Sequence, residues 1–317
     1  MQSSSAGPDP ALPGDTPWRV AITGSSGLIG SALVDSLKRD RHQVIRLVRS
    51  REQAGGGNVF WDPARGELDA AALEGMDAVV HLAGENIAGI WTEAKKRRIR
   101  DSRVEGGRLV AEAIARLERP PRVYVSSGGV NFYGDDRGDE ILDETSATGS
   151  GFLAQVAREW EAAAEPAARA GVRVVNLRFG VVLSRRGGML QVMLLPFKLG
   201  VGGKLGSGRQ WLSWIALEDA VGVIRFAMAT ETLRGPVNAM APNPVRNEEF
   251  TRTLGRVLGR PTLLPVPEFA LRLAPGEMGE NTVLASQRAV PKRLLDAGYR
   301  FRYPHLEDAL RAALEHE

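Results

Sequence analysis

Short apolar runs alternate with amphipathic stretches along most of the chain. Mainly apolar runs predict strands at Arg19–Thr23, Gln43–Val48, Asn58–Trp61, Ala78–Leu82, Arg122–Ser127, Val172–Arg178 and Pro236–Ala239. Apolar residues at helical spacing predict helices at Leu28–Arg39, Thr92–Leu117, Phe152–Ala170 and Leu217–Ala229. Several of the strands are apolar on both faces, which is typical of buried parallel strands. The pattern therefore predicts an α/β fold, a doubly wound parallel sheet with helices on both faces.

The same pattern divides the chain into three parts. Residues 1–17 are rich in Ser, Gly, Pro and Asp and lack the features of a signal peptide, so we expect a flexible N-terminal tail. Residues 18–180 form the main sheet domain. In residues 181–317 the alternation loosens into Gly-rich and Pro-rich segments. We expect this mixed region to complete the sheet at about 217–240 and to form a small C-terminal substrate lobe.

Composition excludes several classes of protein. The chain has 317 residues, no Cys, and 41 Lys and Arg against 38 Asp and Glu, a net charge of +3. The lack of Cys excludes a disulfide framework, a thiol nucleophile and a Cys-based zinc site, and the four His show no metal-ligand spacing, so we predict no metal. No window has the roughly 18 consecutive apolar residues of a membrane helix. A net charge of +3 produces only a weak electrostatic field, so we expect no nucleic-acid partner. We also expect a cytoplasmic protein without a membrane partner.

Charge is unevenly distributed along the chain. Residues 166–217 carry eight Lys and Arg and no acid, whereas residues 135–144 carry six carboxylates and one Arg. The basic segment is either a solvated surface or a cleft for an anionic ligand, such as a phosphate-bearing cofactor or substrate.

The most informative segment is the strand Val20–Thr23 followed by T-G-x-x-G-x-x-G and a helix. Gly24 permits the tight turn, Gly27 lets backbone N–H groups approach a pyrophosphate, and Gly30 lets the helix pack on the sheet. The helix N-terminus then presents unpaired N–H groups to the anion. We therefore predict a Rossmann-type domain in which a dinucleotide contacts the loop residues Gly24, Ser25, Ser26, Gly27, Leu28, Ile29 and Gly30.

The end of the second strand indicates which dinucleotide binds. Sites for NAD usually place an acid there, which accepts from the ribose 2′-hydroxyl, but this chain has Arg46-Leu47-Val48-Arg49-Ser50. A guanidinium beside a hydroxyl suits a 2′-phosphate. We therefore predict NADP(H), with Arg49 and Ser50 as contacts and Arg46 or Arg51 in support. A surface arginine cluster is the alternative.

With these features the chain resembles an extended short-chain dehydrogenase/reductase, specifically the epimerase-like YfcH-like branch. The resemblance runs over nearly the whole length from Arg19. Its marks are Thr23–Gly30, Val80–Asn86, Ser102-Arg103, Ser126-Ser127 with Phe132–Gly134, Trp160-Glu161, Leu177–Leu183, Leu194–Phe197, Gly206–Gln210, Trp214-Ile215 with Asp219, Asn238-Ala239 with Ala241-Pro242, and Ser286–Arg288 with Pro291–Leu294. The resemblance implies a Rossmann domain that binds NADP(H), a small C-terminal substrate lobe and a homodimer.

Further contacts are expected where the later strands end. The small residues of Leu82-Ala83-Gly84 allow the ribose and pyrophosphate to lie across the strand ends. Arg178-Phe179-Gly180 are expected to border the nicotinamide, and Ser126 to hydrogen-bond the nicotinamide amide or a carbonyl. His81 we assign to the core, because no acid is adjacent to orient it.

Four residues are candidates for substrate binding. Glu85 and Asn86 follow the glycine after the fourth strand, and a role at the surface or as a helix cap is the alternative for Glu85. Gln210 and Trp211 lie in a Gly-rich basic loop, where Trp211 can stack on a substrate ring.

The usual catalytic pair of this superfamily is missing. Related hydride-transfer enzymes use Tyr-x-x-x-Lys on the helix after the fifth strand, where the Lys lowers the Tyr pKa. Here that helix contains neither, and its two registers put Phe152 and Val156 or Leu153 and Ala157 at those positions. The proton transfer must therefore differ from that of these relatives.

Ser127 and Tyr133 are the candidate replacements. Ser127 can hydrogen-bond a substrate carbonyl, and Tyr133 can act as a substitute acid with Glu144 or Glu161 as its partner. The alternative for Tyr133 is an aromatic wall packed beside the cofactor.

Two functions follow from these observations. The first is an NADP(H)-dependent oxidoreductase or epimerase that acts on a small, possibly anionic molecule with a carbonyl or hydroxyl group. The second is a sensor or scaffold protein that binds NADP(H) without turnover, which the loss of Tyr and Lys favours.

Overall fold

The apolar runs form strands and the amphipathic stretches form helices in the computed structural model, which describes residues 9–267 and 277–315. In chain order the strands are β1 (Arg19–Thr23), β2 (Gln43–Val48), β3 (Asn58–Asp62), β4 (Glu67–Leu68), β5 (Ala78–His81), β6 (Val123–Gly129), β7 (Asp136–Leu142), β8 (Arg173–Phe179), β9 (Val181–Leu183), β10 (Trp211–Leu212), β11 (Trp214–Ala216), β12 (Gly235–Ala239), β13 (Val245–Arg246) and β14 (Ser286–Ala289). The helices are α1 (Leu28–Arg39), α2 (Glu93–Ala115), α3 (Phe152–Ala163), α4 (Glu165–Arg169), α5 (Gly188–Lys198), α6 (Leu217–Ala229), α7 (Asn247–Leu258), α8 (Lys292–Asp296) and α9 (Leu306–Glu315).

Eight of these strands form the central sheet, in the order β12-β8-β6-β5-β1-β2-β3-β4. Neighbouring strands pair in parallel except for β3 with β4. From β1 the chain builds outward in both directions, first through β2 and β3 and then through β5, β6 and β8. This confirms the predicted doubly wound fold and puts the reversal point, where such sheets bind ligands, between β1 and β5.

All seven predicted strands are present, with their ends shifted by at most two residues. The helix expected over residues 152–170 is instead two helices, α3 and α4. Pro166 has no backbone N–H and cannot donate to the carbonyl of Ala162, so the helical bonding is interrupted there. Helix α2 begins after Thr92, whose side chain caps it by accepting from the backbone N–H of Lys95 at 3.2 Å.

Helices cover both faces of the sheet. Because neighbouring strand residues point to opposite faces, Ile22 and Val80 pack with α1 and α6, while Ala21 and Val79 pack with α2 and α4. Burial on both faces explains why these strands lack polar alternation. Within the described ranges, no helix combines the length and the apolar character that crossing a bilayer requires.

A second lobe follows β8 and has its own apolar core. In this core Leu190 of α5 and Phe250 of α7 pack together with Trp214 and with residues of α9. Strand β7, from the first half of the chain, pairs in parallel with β14 near its end. Asp139 of β7 forms an ion pair with Arg246, so the acidic segment lies beside a basic residue. Asp139 also accepts a hydrogen bond from Trp211 Nε1 at 2.7 Å.

The expected flexible tail, residues 1–17, lies within the described residues only from residue 9 onward. Asp9, Pro10 and Leu12 pack on the sheet domain, whereas residues 13–17 are exposed. Leu12 is 7% exposed and belongs to the core. Asp9 accepts from Ser36 Oγ at 2.6 Å and pairs with Arg302 at 3.0 Å. Composition predicted flexibility here because these partners are remote in the sequence.

Candidate functional site

The glycine loop between β1 and α1 packs so closely that two of its glycines leave no room for a side chain. Gly24 has a φ of +66°, and a Cβ there would lie 2.7 Å from the backbone nitrogen of Ala83. A Cβ on Gly30 would lie 2.1 Å from the carbonyl oxygen of Gly24. At Gly27 the nearest atom would be 3.3 Å away. The turn and packing roles expected of Gly24 and Gly30 follow from these distances. A Cβ on Gly27 would make a tight contact that a small shift of the Gly24 carbonyl relieves, so the loop is packed less closely on this side.

Helix α1 begins on this side of the loop. Its N-cap is Gly27, and no side chain caps its first turn. The helical bonding starts with Ser31, whose N–H donates to the Gly27 carbonyl at 2.9 Å. The N–H groups of Leu28, Ile29 and Gly30 therefore have no partner within the helix. A helix N-terminus of this kind attracts anions.

A cavity of about 910 Å³ lies between the glycine loop and the end of β2, and we call it the β2-side cavity. Among the residues expected to bind the cofactor, its lining includes Gly24, Ser25, Ser26, Gly27, Arg49, Ser50, Leu82, Ala83 and Gly84. Arg46 also lines it and donates from Nε to Ser25 Oγ at 3.0 Å. Two guanidinium groups and several hydroxyls in one cavity suit a phosphate monoester.

Of the two arginines expected to support Arg49, the geometry favours Arg46. Arg51 pairs with Glu67 at 2.5 Å. Its guanidinium also lies over Phe60, with Cζ 4.1 Å from the ring centroid. These contacts hold Arg51 at β3 and β4, away from the cavity lining.

A second cavity of about 390 Å³, the β6-side cavity, lies on the other side of the glycine loop. Of the residues expected at the cleft, its lining includes Gly24, Gly27, Leu28, Ile29, Gly30, Leu82, Ser127 and Phe179. The two cavities share Gly24, Gly27 and Leu82 in their linings and so lie side by side at the reversal point of the sheet, which we call the cleft. In a doubly wound sheet, a dinucleotide spans this edge with its adenosine half at β2 and its other half over the later strands.

Helix α3 presents apolar and aromatic groups to the β6-side cavity. Leu153, Val156, Ala157 and Trp160 line it, in the region where related enzymes carry Tyr and Lys. Ser127 contributes a hydroxyl from the end of β6. The cavity wall therefore offers a hydrogen-bond donor at Ser127 and a dry surface on α3.

Two residues expected at the cleft, Ser126 and Gly180, are packed within the protein instead. Ser126 is 1% exposed and does not line the cavity, unlike its neighbour Ser127. Gly180 packs against the chain, since a Cβ there would lie 2.7 Å from the carbonyl oxygen of Ser213. Their expected contacts with a nicotinamide are not supported by this placement.

Arg178 and Tyr133 lie in a buried network outside the cleft. Arg178 is 3% exposed and donates to both carboxylate oxygens of Glu161, at 2.6 and 2.9 Å. The fully buried Tyr133 accepts from Arg178 Nη1 at 3.0 Å and donates to the side-chain oxygen of Asn238 at 2.7 Å. Desolvation raises the pKa of Tyr133 to about 12, although Arg178 opposes the shift. The geometry therefore corrects both expectations, a cofactor contact for Arg178 and proton transfer for Tyr133. Glu144, the other expected partner of Tyr133, instead accepts from the backbone N–H of Asn238 at 3.0 Å.

Glu85 lines the β2-side cavity, but its carboxylate is already paired. Lys95 Nζ lies 2.8 Å and Arg98 Nε 3.5 Å from Glu85 Oε1. The hydrogen bond from Lys95 is the main reason that the pKa of Glu85 is lowered, so this group is a poor proton donor. Asn86 Oδ1 accepts from the backbone N–H of Ala88 at 2.9 Å, which closes a local turn. Substrate contact stays a prediction for both residues.

Gln210 and Trp211 lie away from the cleft. Gln210 lines a third cavity of about 520 Å³ and donates from Nε2 to the Leu205 carbonyl at 3.0 Å. The guanidinium carbons of Arg246 and Arg288 lie 4.1 and 4.5 Å from the ring centroid of Trp211. The protein's own arginines thus occupy the ring surface that a substrate ring would need.

The basic segment 166–217 does not form one cleft. Arg173 donates to the carbonyls of Ala227, Met228 and Leu233 at 2.7 to 2.9 Å. This cation therefore ties helix α6 to the sheet, as Arg178 ties α3. Neither a solvated surface nor an anion cleft describes the whole segment.

Sequence reasoning assigned no role to several residues that complete the β6-side cavity: Ile87, Arg103, Asn131 and Met189. Arg103 lies four residues after Ile99 and four before Gly107, and both of these residues are buried on α2. An arginine at a core-facing helical position is the signal that identifies it.

Comparison with known sequences covers nearly the whole chain. Residues 20–238 match the NAD dependent epimerase/dehydratase family, and residues 266–313 match a domain of unknown function, DUF1731. Epimerase family protein MT2273 of Mycobacterium tuberculosis is 45% identical over 292 residues, which are 92% of this chain and 96% of that protein. Human epimerase family protein SDR39U1 is 36% identical over 296 residues, which are 92% of this chain and 98% of that protein.

Solved structures agree with this relationship. The crystal structure of human SDR39U1 (isoform 2) with NADPH has a TM-score of 0.86 at 36% identity and covers 94% of this chain and 100% of that chain. A nucleoside-diphosphate sugar epimerase from Corynebacterium glutamicum has a TM-score of 0.79 at 40% identity, over 95% of this chain and 59% of that chain. The glycine loop, the doubly wound sheet and these similarities lead to one conclusion: the chain belongs to the NAD-dependent epimerase/dehydratase family.

Proposed function

We propose that this chain is an NADP(H)-dependent oxidoreductase or epimerase that acts on a carbonyl or hydroxyl group of a small molecule. The observation that carries the proposal is the pair of adjoining cavities, which place Arg46 and Arg49 on one side of the glycine loop and Ser127 on the other. The NADPH in the human relative supports the choice of cofactor. The C-terminal DUF1731 match supports a place in the YfcH-like branch.

The residues of the cleft fit NADP(H). The free N–H groups of Leu28, Ile29 and Gly30 would hold the pyrophosphate beside Gly27, where a side chain is absent. Arg46, Arg49 and Ser50 would hold the 2′-phosphate. When bound, the nicotinamide supplies or accepts the hydride.

The chain's own contribution is positioning. Ser127 donates a hydrogen bond to the substrate oxygen, and Leu153, Val156 and Ala157 provide a dry wall beside it. Tyr133 and Glu85 are held by Arg178 and Lys95, so the proton on the substrate oxygen is exchanged with water.

A sensor or scaffold that holds NADP(H) without turnover is the second candidate. It is favoured by the apolar surface that α3 presents and by the closed hydrogen bonding of Tyr133. A cytoplasmic location and a homodimer are further proposals.

Cofactor choice is tested by titrating the purified chain with NADPH and with NADH while following nicotinamide fluorescence. We expect NADPH to bind at least about tenfold more tightly, because a 2′-phosphate gains charge-assisted hydrogen bonds. Arg49→Ala and Arg46→Ala should each reduce this preference, whereas Arg51→Ala, the matched control, should keep it. A wild-type chain that binds neither nucleotide would refute the proposed function.

Turnover is tested by supplying NADPH with a panel of aldehydes, ketones and quinones and following cofactor absorbance. We expect oxidation that slows in Ser127→Ala and persists in Tyr133→Phe. Tight NADPH binding without oxidation across the panel would favour the sensor.

A further inference from the structure

Beyond the glycine loop, the wall of the β6-side cavity consists mainly of apolar side chains. Ile87 comes from the loop after β5, Leu153 and Val156 come from α3, Val181 comes from β9, and Met189 comes from the start of α5. These residues belong to both lobes, because α5 and β9 follow β8. A molecule held between the lobes is therefore buried against carbon atoms, which favours an apolar ligand.

Polar side chains are few in this wall. Among the described residues, Ser127 and Asn131 contribute uncharged ones. The hydroxyl of Ser127 has no hydrogen-bond partner in the described part of the chain, and Asn131 Nδ2 donates to the carbonyl of Asn281 at 3.4 Å. One free hydroxyl and one partly used amide can serve a single carbonyl oxygen, but they cannot pair the several hydroxyls of a sugar.

The charge in the described wall lies at the border with the β2-side cavity. It belongs to Arg103, whose guanidinium carbon would lie 3.2 Å from a Cβ on Gly84, a residue that lines the β2-side cavity. The first turn of α5 also faces the glycine loop, since a Cβ on Gly187 would lie 3.5 Å from Cδ2 of Leu28. Both features therefore lie on the side that we propose for the cofactor.

The third cavity does not supply the missing anion site. A nucleoside-diphosphate sugar, the kind of molecule in the name of the Corynebacterium glutamicum relative, needs cations for its two phosphates. The third cavity is lined by the carboxylates of Asp135, Asp136 and Asp139 and by Arg209 and Arg246. Arg246 is already paired with Asp139. The remaining carboxylates would repel a diphosphate.

The size of the β6-side cavity also limits the substrate. Its volume of about 390 Å³ is at the lower end of the range of roughly 300 to 1,000 Å³ that is typical of ligand sites. In the proposed function the nicotinamide ring takes part of this volume. The remaining space therefore suits a small molecule rather than a second nucleotide.

We propose that the substrate is a small apolar aldehyde or ketone, or the alcohol that corresponds to it. Its oxygen lies at Ser127 and its carbon skeleton packs against α3, β9 and Met189. This assignment rests on the proposed function and narrows it, because it excludes nucleoside-diphosphate sugars and the anionic substrate that the basic segment suggested.

The test measures binding to the full chain saturated with NADP⁺, because NADP⁺ carries no hydride for a ketone to accept. Two ring ketones are compared by saturation-transfer NMR titration. One is cyclohexanone, and the other is 2-keto-myo-inositol, the same ring with a hydroxyl on each of the other carbons. We expect cyclohexanone to bind at least about tenfold more tightly, since the added hydroxyls would be buried without partners. UDP-glucose should not displace cyclohexanone.

Substitutions at Met189 separate the polarity of the wall from its shape. Met189→Gln should weaken cyclohexanone binding by about threefold or more, whereas Met189→Leu should keep it within about twofold. Leu195→Gln, at an exposed position of the same helix, is the matched control and should also keep it. Melting temperatures and NADPH titration check that the fold and the cofactor site are unchanged in all three variants.

Equal affinity for the two ketones, a preference for the polar ketone, or binding of neither would overturn the substrate class. Displacement of cyclohexanone by UDP-glucose would do the same. In each case a chain that still binds NADPH keeps the proposed function. A wild-type chain that binds no nicotinamide nucleotide would overturn the proposed function as well.

Discussion

His81 at the end of β5 is a fully buried histidine beside the cleft. Its Nδ1 lies 2.8 Å from Thr23 Oγ1, and its ring packs edge-on against Trp61 and Trp160. Nε2 has no hydrogen-bond partner among the described residues. Desolvation, assisted by the charge of Arg103, lowers the pKa of His81 to about 3. The ring is therefore neutral and part of the core, as predicted from the lack of an adjacent acid.

Acid is expected to destabilise the fold through this residue. The unfolded histidine takes up its proton near pH 6.5 but the folded one only near pH 3. Between these values the unfolded state binds more protons, so stability is lost as the pH falls from about 6.5. At pH 5 the loss reaches about 2 kcal/mol, from about 1.4 kcal/mol per pH unit. Urea unfolding at pH 7.5 and pH 5 measures it.

The pH effect is assigned to His81 by difference. Between pH 7.5 and pH 5 the free energy of unfolding of His81→Gln should fall by about 2 kcal/mol less than that of the wild type. His305→Gln, at an exposed site, should lose as much stability as the wild type. Equal pH dependence in the wild type and His81→Gln would contradict the expected role of the buried ring.

The cleft residues that could be predicted from the sequence are those whose role depends on the conformation of the backbone around them. The glycine loop and the pair Arg49-Ser50 were found because a strand, a turn and a helix follow one another in the sequence. Arg178 and Tyr133 were assigned to the cleft from their positions after strands, but their side chains are drawn to Glu161 and Asn238. Such partners are remote in sequence, and a single sequence does not reveal them.

At the scale of elements, β1, the glycine loop and α1 act as one unit. The loop is shaped by backbone contacts alone, from Gly24 to Ala83 and from Gly30 to Gly24. A local pattern therefore predicted both elements with the bounds that the structure shows. The break between α3 and α4 was missed because apolar spacing continues across Pro166, although a proline is itself a local signal for interruption.

Two alanine substitutions separate binding from packing in this unit. Gly30→Ala should destabilise the fold by about 1 to 3 kcal/mol, because its Cβ would overlap a backbone carbonyl. Gly27→Ala needs only a small adjustment and should stay within about 1 kcal/mol of the wild type, yet weaken NADPH binding by about tenfold or more. Thermal denaturation and fluorescence titration measure the two effects. A Gly27→Ala chain with unchanged affinity would show that the pyrophosphate does not approach this glycine.

At the scale of the whole molecule, the described start of the chain joins distant parts of the fold. Asp9 contacts Ser36 of α1 and Arg302 near the C-terminal helix. The carbonyl of Pro10 accepts from Arg225 Nε of α6 at 2.9 Å. The segment therefore ties together helices on one face of the sheet and the last part of the chain. Contacts between residues separated by 293 positions leave no periodic signal, so composition pointed to a tail.

Removing this tie is expected to weaken the fold without affecting the cleft. Asp9→Ala loses a half-buried ion pair and a hydrogen bond, so the free energy of unfolding should fall by about 1 to 2 kcal/mol. Asp15→Ala, an exposed acid in the same stretch, should change it by less than about 0.5 kcal/mol. Urea unfolding of the two variants measures the difference, and NADPH titration should give wild-type affinity for both. Equal stability of Asp9→Ala and Asp15→Ala would mean that the start of the chain does not tie α1 to the last part of the chain.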